Sequence, residues 1–117
     1  MYTMKLFKRL QKSFITGNKK ELPVFKDGEI VRYHIQFEGI VQGVGFRFEV
    51  YQMANQLKLS GWVRNEMDGS VLCEVEGTQE KIEYLIKHLK QVPRFQIEKI
   101  IKKEISLKNE SSFRMSN

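Results

Sequence analysis

A chain of 117 residues, 41% hydrophobic and 29% charged, has the size and balance of one globular domain with a single core that needs no covalent staples. Its lone cysteine, Cys73, excludes an internal disulfide and a cysteine zinc cluster, and His34 and His88 stand too far apart for metal-ligand spacing. No apolar run nears the roughly 20 residues that span a bilayer and no secretory-type leader opens the chain, so the expectation is a cytoplasmic, monomeric protein with no cofactor and no metal.

The net charge of +6 is unevenly placed: residues 1–28 carry seven Lys/Arg against Glu21 and Asp27, a net +5, which leaves +1 for residues 29–117. A nearly neutral main domain argues against nucleic acid as a partner. Within 1–28, Met4, Phe7, Leu10 and Phe14 recur at helical spacing among Lys5, Lys8, Arg9 and Lys12. This basic extension reads in two ways: a short amphipathic helix making weak contact with a membrane surface or a protein, or a disordered tail, since isolated helices of this length are marginal in water.

The domain proper, 29–117, opens on a strand. Val31, Tyr33, Ile35 and Phe37 alternate with Arg32, His34, Gln36 and Glu38, the period of a half-buried strand, with His34 on its polar face. The period then changes: Phe46, Val50, Met53, Ala54 and Leu57 form one helical stripe over 46–58, and Glu49 reads as a solvent-facing helix residue. Residues 61–77 read as a hairpin turning at Asp68-Gly69, with Val71, Cys73 and Val75 on one face and Leu72, Glu74 and Glu76 on the other. Cys73 thus reads as a small buried hydrophobe. Thr78 is an N-cap for a helix over 79–90 bearing Ile82, Leu85, Ile86 and Leu89, and His88 falls in its last turn, where a capping role is expected.

Residues 95–107 fit two patterns. Ile97, Ile101 and Ile105 share a strand face, whereas Ile97, Ile100, Ile101 and Ile105 also fit a helix; β-branching favours strand. Phe113-Arg114-Met115 is a candidate short edge strand. The order strand, helix, strand, strand, helix, strand gives an α+β, ferredoxin-like split βαβ sandwich, an antiparallel sheet with two helices on one face.

Gly39-Ile40-Val41-Gln42-Gly43-Val44-Gly45-Phe46-Arg47-Phe48 occupies the first strand-to-helix junction. Glycines let the backbone curl so that successive N–H groups point inward as an anion nest. The helix start adds unpaired N–H groups and its positive dipole end, a setting suited to phosphate. Arg47 adds a planar fork able to grip two phosphate oxygens. The dinucleotide fingerprint GxGxxG fails at Phe48, and no Lys-Ser or Lys-Thr pair completes a P-loop. In Gly61-Trp62-Val63-Arg64-Asn65, the Asn65 amide can both donate and accept, which suits it to hold a water; taken alone, it reads as a turn residue.

Together the two stretches resemble the acylphosphatase family. The pattern G-x-V-Q-G-V-x-(F/Y)-R is met by Gly39, Val41, Gln42, Gly43, Val44, Phe46 and Arg47, and a second signature by Gly61, Trp62, Val63, Asn65, Gly69, Val71 and Gly77. Ile40 departs from the Arg or Lys often found there. The resemblance covers roughly residues 30–115 and implies hydrolysis of a small-molecule acyl phosphate to carboxylate and inorganic phosphate. It implies that Gln42, Gly43, Val44, Gly45, Phe46 and Arg47 bind phosphate, that Arg47 and Asn65 are catalytic, and that no cofactor is needed. Two rival functions are a non-catalytic phosphate- or phosphoprotein-binding module and an RNA-binding domain; the second lacks its aromatic sheet-face signature.

Overall fold

In the computed structural model, which describes residues 21–117, the first strand, β1, runs Ile30–Ile40 and does what its period demands: Ile35 and Phe37 are fully buried on one face, while Arg32, His34 and Gln36 point to the other. The amphipathic pattern of residues 4–14, and the membrane or protein contact expected of it, lie outside the described residues. From residue 21 on, the chain is irregular up to β1, yet Leu22 and Phe25 pack on the core and the Phe25 ring meets Tyr84 edge-on at 5.4 Å.

Helix α1 (Phe46–Gln56) buries Phe46, Val50, Met53 and Ala54, the stripe its spacing predicts. Strands β2 (Ser60–Asn65) and β3 (Val71–Thr78) form the hairpin. Its turn is closed by the Asp68 carboxylate, which accepts from the N–H and hydroxyl of Ser70 at 2.9 and 2.6 Å. Helix α2 (Gln79–Lys90) comes next, its start capped by Thr78, whose Oγ1 accepts from the Lys81 N–H. Strands β4 (Gln96–Ile105) and β5 (Phe113–Met115) complete a sheet of order β4-β1-β3-β2-β5, antiparallel except where β5 lies parallel to β2. One core joins Ile35, Phe37, Val63, Cys73 and Val75 of the sheet to both helices. This is the expected ferredoxin-like split βαβ sandwich.

Residues 96–105 are strand, and the structure explains why they also fit a helix. Pairing with β1 steps from Glu38↔Lys99 to Gly39↔Ile97, so Glu98 is left out of the ladder as a bulge. The bulge lets Ile97 and Ile100, three apart, both pack on the core. The expected common face of Ile97, Ile101 and Ile105 is thereby broken, and Ile101 is 43% exposed. Opposite the bulge, Gly39 has φ 131°, and a Cβ there would lie 2.0 Å from the Gln96 carbonyl oxygen.

The sheet face away from the core is organised around a buried cation. Arg32 is fully buried; it donates to Glu74 at 3.0 and 2.8 Å, to Glu76 at 3.2 Å and to Glu110 at 2.6 Å. Lys108 and His34 also reach Glu74, and the backbone N–H groups of Lys108 and Asn109 donate to Glu76. Burial raises the Glu74 pKa, but hydrogen bonds from Lys108, Arg32 and His34 outweigh it and hold the carboxyl down at about 2. Through this cluster the segment between β4 and β5 is tied across the sheet, and a Glu110–Arg114 ion pair carries it into β5. Cys73 is fully buried, and burial pushes its thiol pKa up, as befits a core residue.

Candidate active site

The junction between β1 and α1 forms a concave loop because two glycines take the left-handed region: Gly43 has φ 75° and Gly45 φ 82°. Gly45 is the N-cap of α1, and its carbonyl accepts the Glu49 N–H at 3.1 Å. No side chain caps this helix, in contrast to Thr78 at α2. The first-turn N–H groups of α1 therefore keep their partial positive charge for a guest. Phe46 anchors the loop from below, its ring edge-on to Phe37 at 5.0 Å and to Phe95 at 4.9 Å.

Three hydrogen-bonded ties hold the loop and Arg47 against neighbouring elements. The Gln42 amide donates to the carbonyls of Glu66 and Ser70 at 2.7 and 2.9 Å, which pins the loop to the β2–β3 hairpin. The side chain of Gln42 is thus engaged with the protein, and its backbone is what lines the loop. Arg47 Nη1 donates to the Ser116 carbonyl at 2.6 Å, while the Ser116 N–H donates to the Val63 carbonyl at 2.8 Å. Arg47 is thereby strapped to β2 two residues before Asn65. Asn65 alternates in step with Val63, which is fully buried in the core, so Asn65 lies on the sheet face that the helices cover. Among the described residues, nothing hydrogen-bonds the Asn65 side-chain amide, which leaves it open to water.

The third tie comes from Arg94, which the sequence reading does not single out, supported by Glu49 and His88, which it reads differently. Arg94 Nε donates to the Val44 carbonyl at 2.8 Å and Nη2 reaches Glu49 at 3.4 Å. Glu49 is not a solvent-facing residue: its other oxygen meets His88 Nε2 at 2.7 Å. His88 in turn is not a helix cap but a buried ring, its side chain 5% exposed, bonded across to α1. These roles depend on how α2 and the loop after it dock on α1, which periodicity within one helix does not encode. His34, by contrast, stays on the polar face as expected, 3.3 Å from Glu74.

The acylphosphatase family model matches residues 33–115. The acylphosphatase of Moorella thermoacetica is 37% identical over 87 residues, spanning 74% of this chain and 94% of that protein. The acylphosphatase of Bifidobacterium longum is 41% identical over 70 residues, 60% of this chain and 72% of that one. The crystal structure of acylphosphatase from Bacillus subtilis superposes with a TM-score of 0.70 at 34% identity, covering 74% of this chain and 99% of that one. The chain belongs to the acylphosphatase family. It is a hydrolase of the carboxyl–phosphate bond, on the fold that the family's solved structures share.

Proposed function

We propose that the 42–46 backbone and Arg47 bind the phosphoryl group of a small-molecule acyl phosphate and that Asn65 positions the water that attacks it. The observation that supports this reading is the strap through Ser116: its carbonyl accepts from Arg47, which follows the left-handed Gly43 and Gly45, and its N–H donates to Val63, two residues before Asn65. The chemistry asks little more of the protein. Water attacks phosphorus, the bond from phosphorus to the acyl oxygen breaks, and the carboxylate departs with both electrons. A leaving group whose conjugate acid has a pKa of about 4 needs no general acid. The proton of the water passes to a phosphoryl oxygen, so no histidine or carboxylate base is required. What remains is orientation and neutralisation of charge on the phosphoryl oxygens, which the loop N–H groups, the α1 terminus and Arg47 supply. We place the protein in the cytoplasm, acting as a monomer.

Hydrolysis of benzoyl phosphate by the wild type and Asn65→Ala, with and without EDTA, tests the assignment. Fast turnover that EDTA leaves intact and the substitution lowers by about 10²–10³-fold supports it. Inorganic phosphate binding without turnover would instead make the loop a binding site and sink the catalytic roles.

A further inference from the structure

Arg94 belongs to neither sequence motif, yet it touches the loop at the peptide that leads into Gly45. The Val44–Gly45 peptide is joined on its C-terminal side to Gly45, whose φ of 82° lies in the left-handed region that glycine adopts freely. Such a peptide rotates at small steric cost. Because a peptide is planar and trans, the Val44 C=O and the Gly45 N–H point in opposite directions from one plane. Whatever fixes the carbonyl therefore aims the N–H. If the peptide flipped, a carbonyl oxygen would face the bound anion in place of a donor.

Arg94 is the group that fixes it. Its Nε–H takes the Val44 carbonyl at 2.8 Å, its guanidinium lies over the Phe95 ring at 4.7 Å, and Nη2 reaches Glu49 Oε1 at 3.4 Å. Glu49 is itself held by His88 at 2.7 Å. The His88 Nδ1 is buried with no partner among the described residues. A neutral ring donating from Nε2 leaves only a bare lone pair there, cheaper than an orphaned N–H. The chain of contacts runs from α2 through α1 to Arg94 and ends on the loop. The Arg94 side chain is 53% exposed, and a Cβ at Gly45 would lie 3.6 Å from its Nη2, so the cation also stands beside the phosphate loop.

We propose that Arg94, braced by Glu49 and His88, is a positioning residue that holds the Val44 carbonyl outward so that the Gly45 N–H points at the bound phosphoryl group. The inference rests on the reading that residues 42–46 bind phosphate. It adds that the loop is set for the anion before substrate arrives, the ordering being done by side chains from outside the motif.

The test compares Arg94→Met, Arg94→Lys and Glu49→Gln with the wild type, reading benzoyl phosphate kinetics, inorganic phosphate affinity and thermal midpoint. Arg94→Met keeps the apolar stem over Phe95 and removes the donor. It is expected to raise both the KM and the phosphate Kd about tenfold, with a smaller change in kcat and a midpoint near that of the wild type. Arg94→Lys recovers part of the loss, because an ammonium can reach Val44 but cannot span to Glu49 as well. Glu49→Gln falls between the wild type and Arg94→Met. An active wild type with Arg94→Met unchanged in KM and phosphate Kd overturns the role of Arg94 alone. So does a fall in thermal midpoint with no rise in KM. A wild type that neither binds phosphate nor turns over benzoyl phosphate brings down the loop reading itself, and this inference with it.

Discussion

On the proposed reading Arg47 and Asn65 are separable because they serve different partners of one reaction, the anion and the water. Arg47→Gln removes the fork and its charge; the expected result is a loss of about 10²-fold or more in kcat/KM, with weakened inorganic phosphate binding, read by steady-state kinetics and calorimetry. Asn65→Ala leaves phosphate affinity near that of the wild type but lowers kcat by about 10²–10³-fold, the scale of one preorganised donor. Equal loss of phosphate binding in both variants would contradict the division. Arg47 could be singled out in the sequence from the glycines at its strand-to-helix junction, whereas Asn65 alone reads as a turn residue and takes its proposed role from the family resemblance. The roles of Glu49, His88 and Arg94 were not legible. Within its own segment Glu49 reads as a surface residue and His88 as a cap, Arg94 gives no signal, and the three meet only when α2 and the loop after it settle on α1.

At the scale of elements, β1, α1, the hairpin and α2 arise from hydrophobic period and turn chemistry, and α2 ends where Pro93 approaches. β4 resisted because a bulge at Glu98 puts a three-residue spacing on a strand, so both periods fit the same isoleucines. The bulge has a measurable counterpart across the ladder. Gly39→Ala puts a Cβ against the Gln96 carbonyl and forces an L residue to φ 131°. The expected cost is about 2–4 kcal/mol in denaturant unfolding. The short β5 matters because it delivers Ser116 to the site. A chain ending at Met115 keeps the β2–β5 pairs but loses the Ser116 carbonyl that seats Arg47. Its KM for benzoyl phosphate is expected to rise about tenfold, with most of the thermal stability retained.

Across the whole molecule, the Arg32 cluster ties β1 and β3 to the β4–β5 segment and makes stability depend on acid. Glu74 titrates at about 2 in the folded protein against an ordinary value of 4.5. A carboxyl depressed in this way contributes in full above the unfolded value and loses its contribution as pH falls from about 5 toward 2. The thermal midpoint should fall through that window. Glu74→Gln should flatten the fall while lowering the midpoint at neutral pH, because fully buried Arg32 loses a charged partner. Circular dichroism melts across pH 2–7 decide it. The alternation of Arg32, Glu74 and Glu76 onto the polar face was readable in sequence. That Lys108 and Glu110 would close over them was not, since no local pattern links residues so far apart.

The strap between Arg47 and Ser116 joins residues 69 positions apart, and this orders events during synthesis. Translation delivers the glycine loop, α1 and Asn65 early, and these can begin to fold while the ribosome is still adding residues. Among the described residues the guanidinium at position 47 has its hydrogen-bond partner only once β5 pairs with β2 and residue 116 has emerged. On the proposed reading a nascent chain carries the loop and Arg47 before the residue that seats the guanidinium exists, and tight substrate binding waits on a serine made long after the loop it serves.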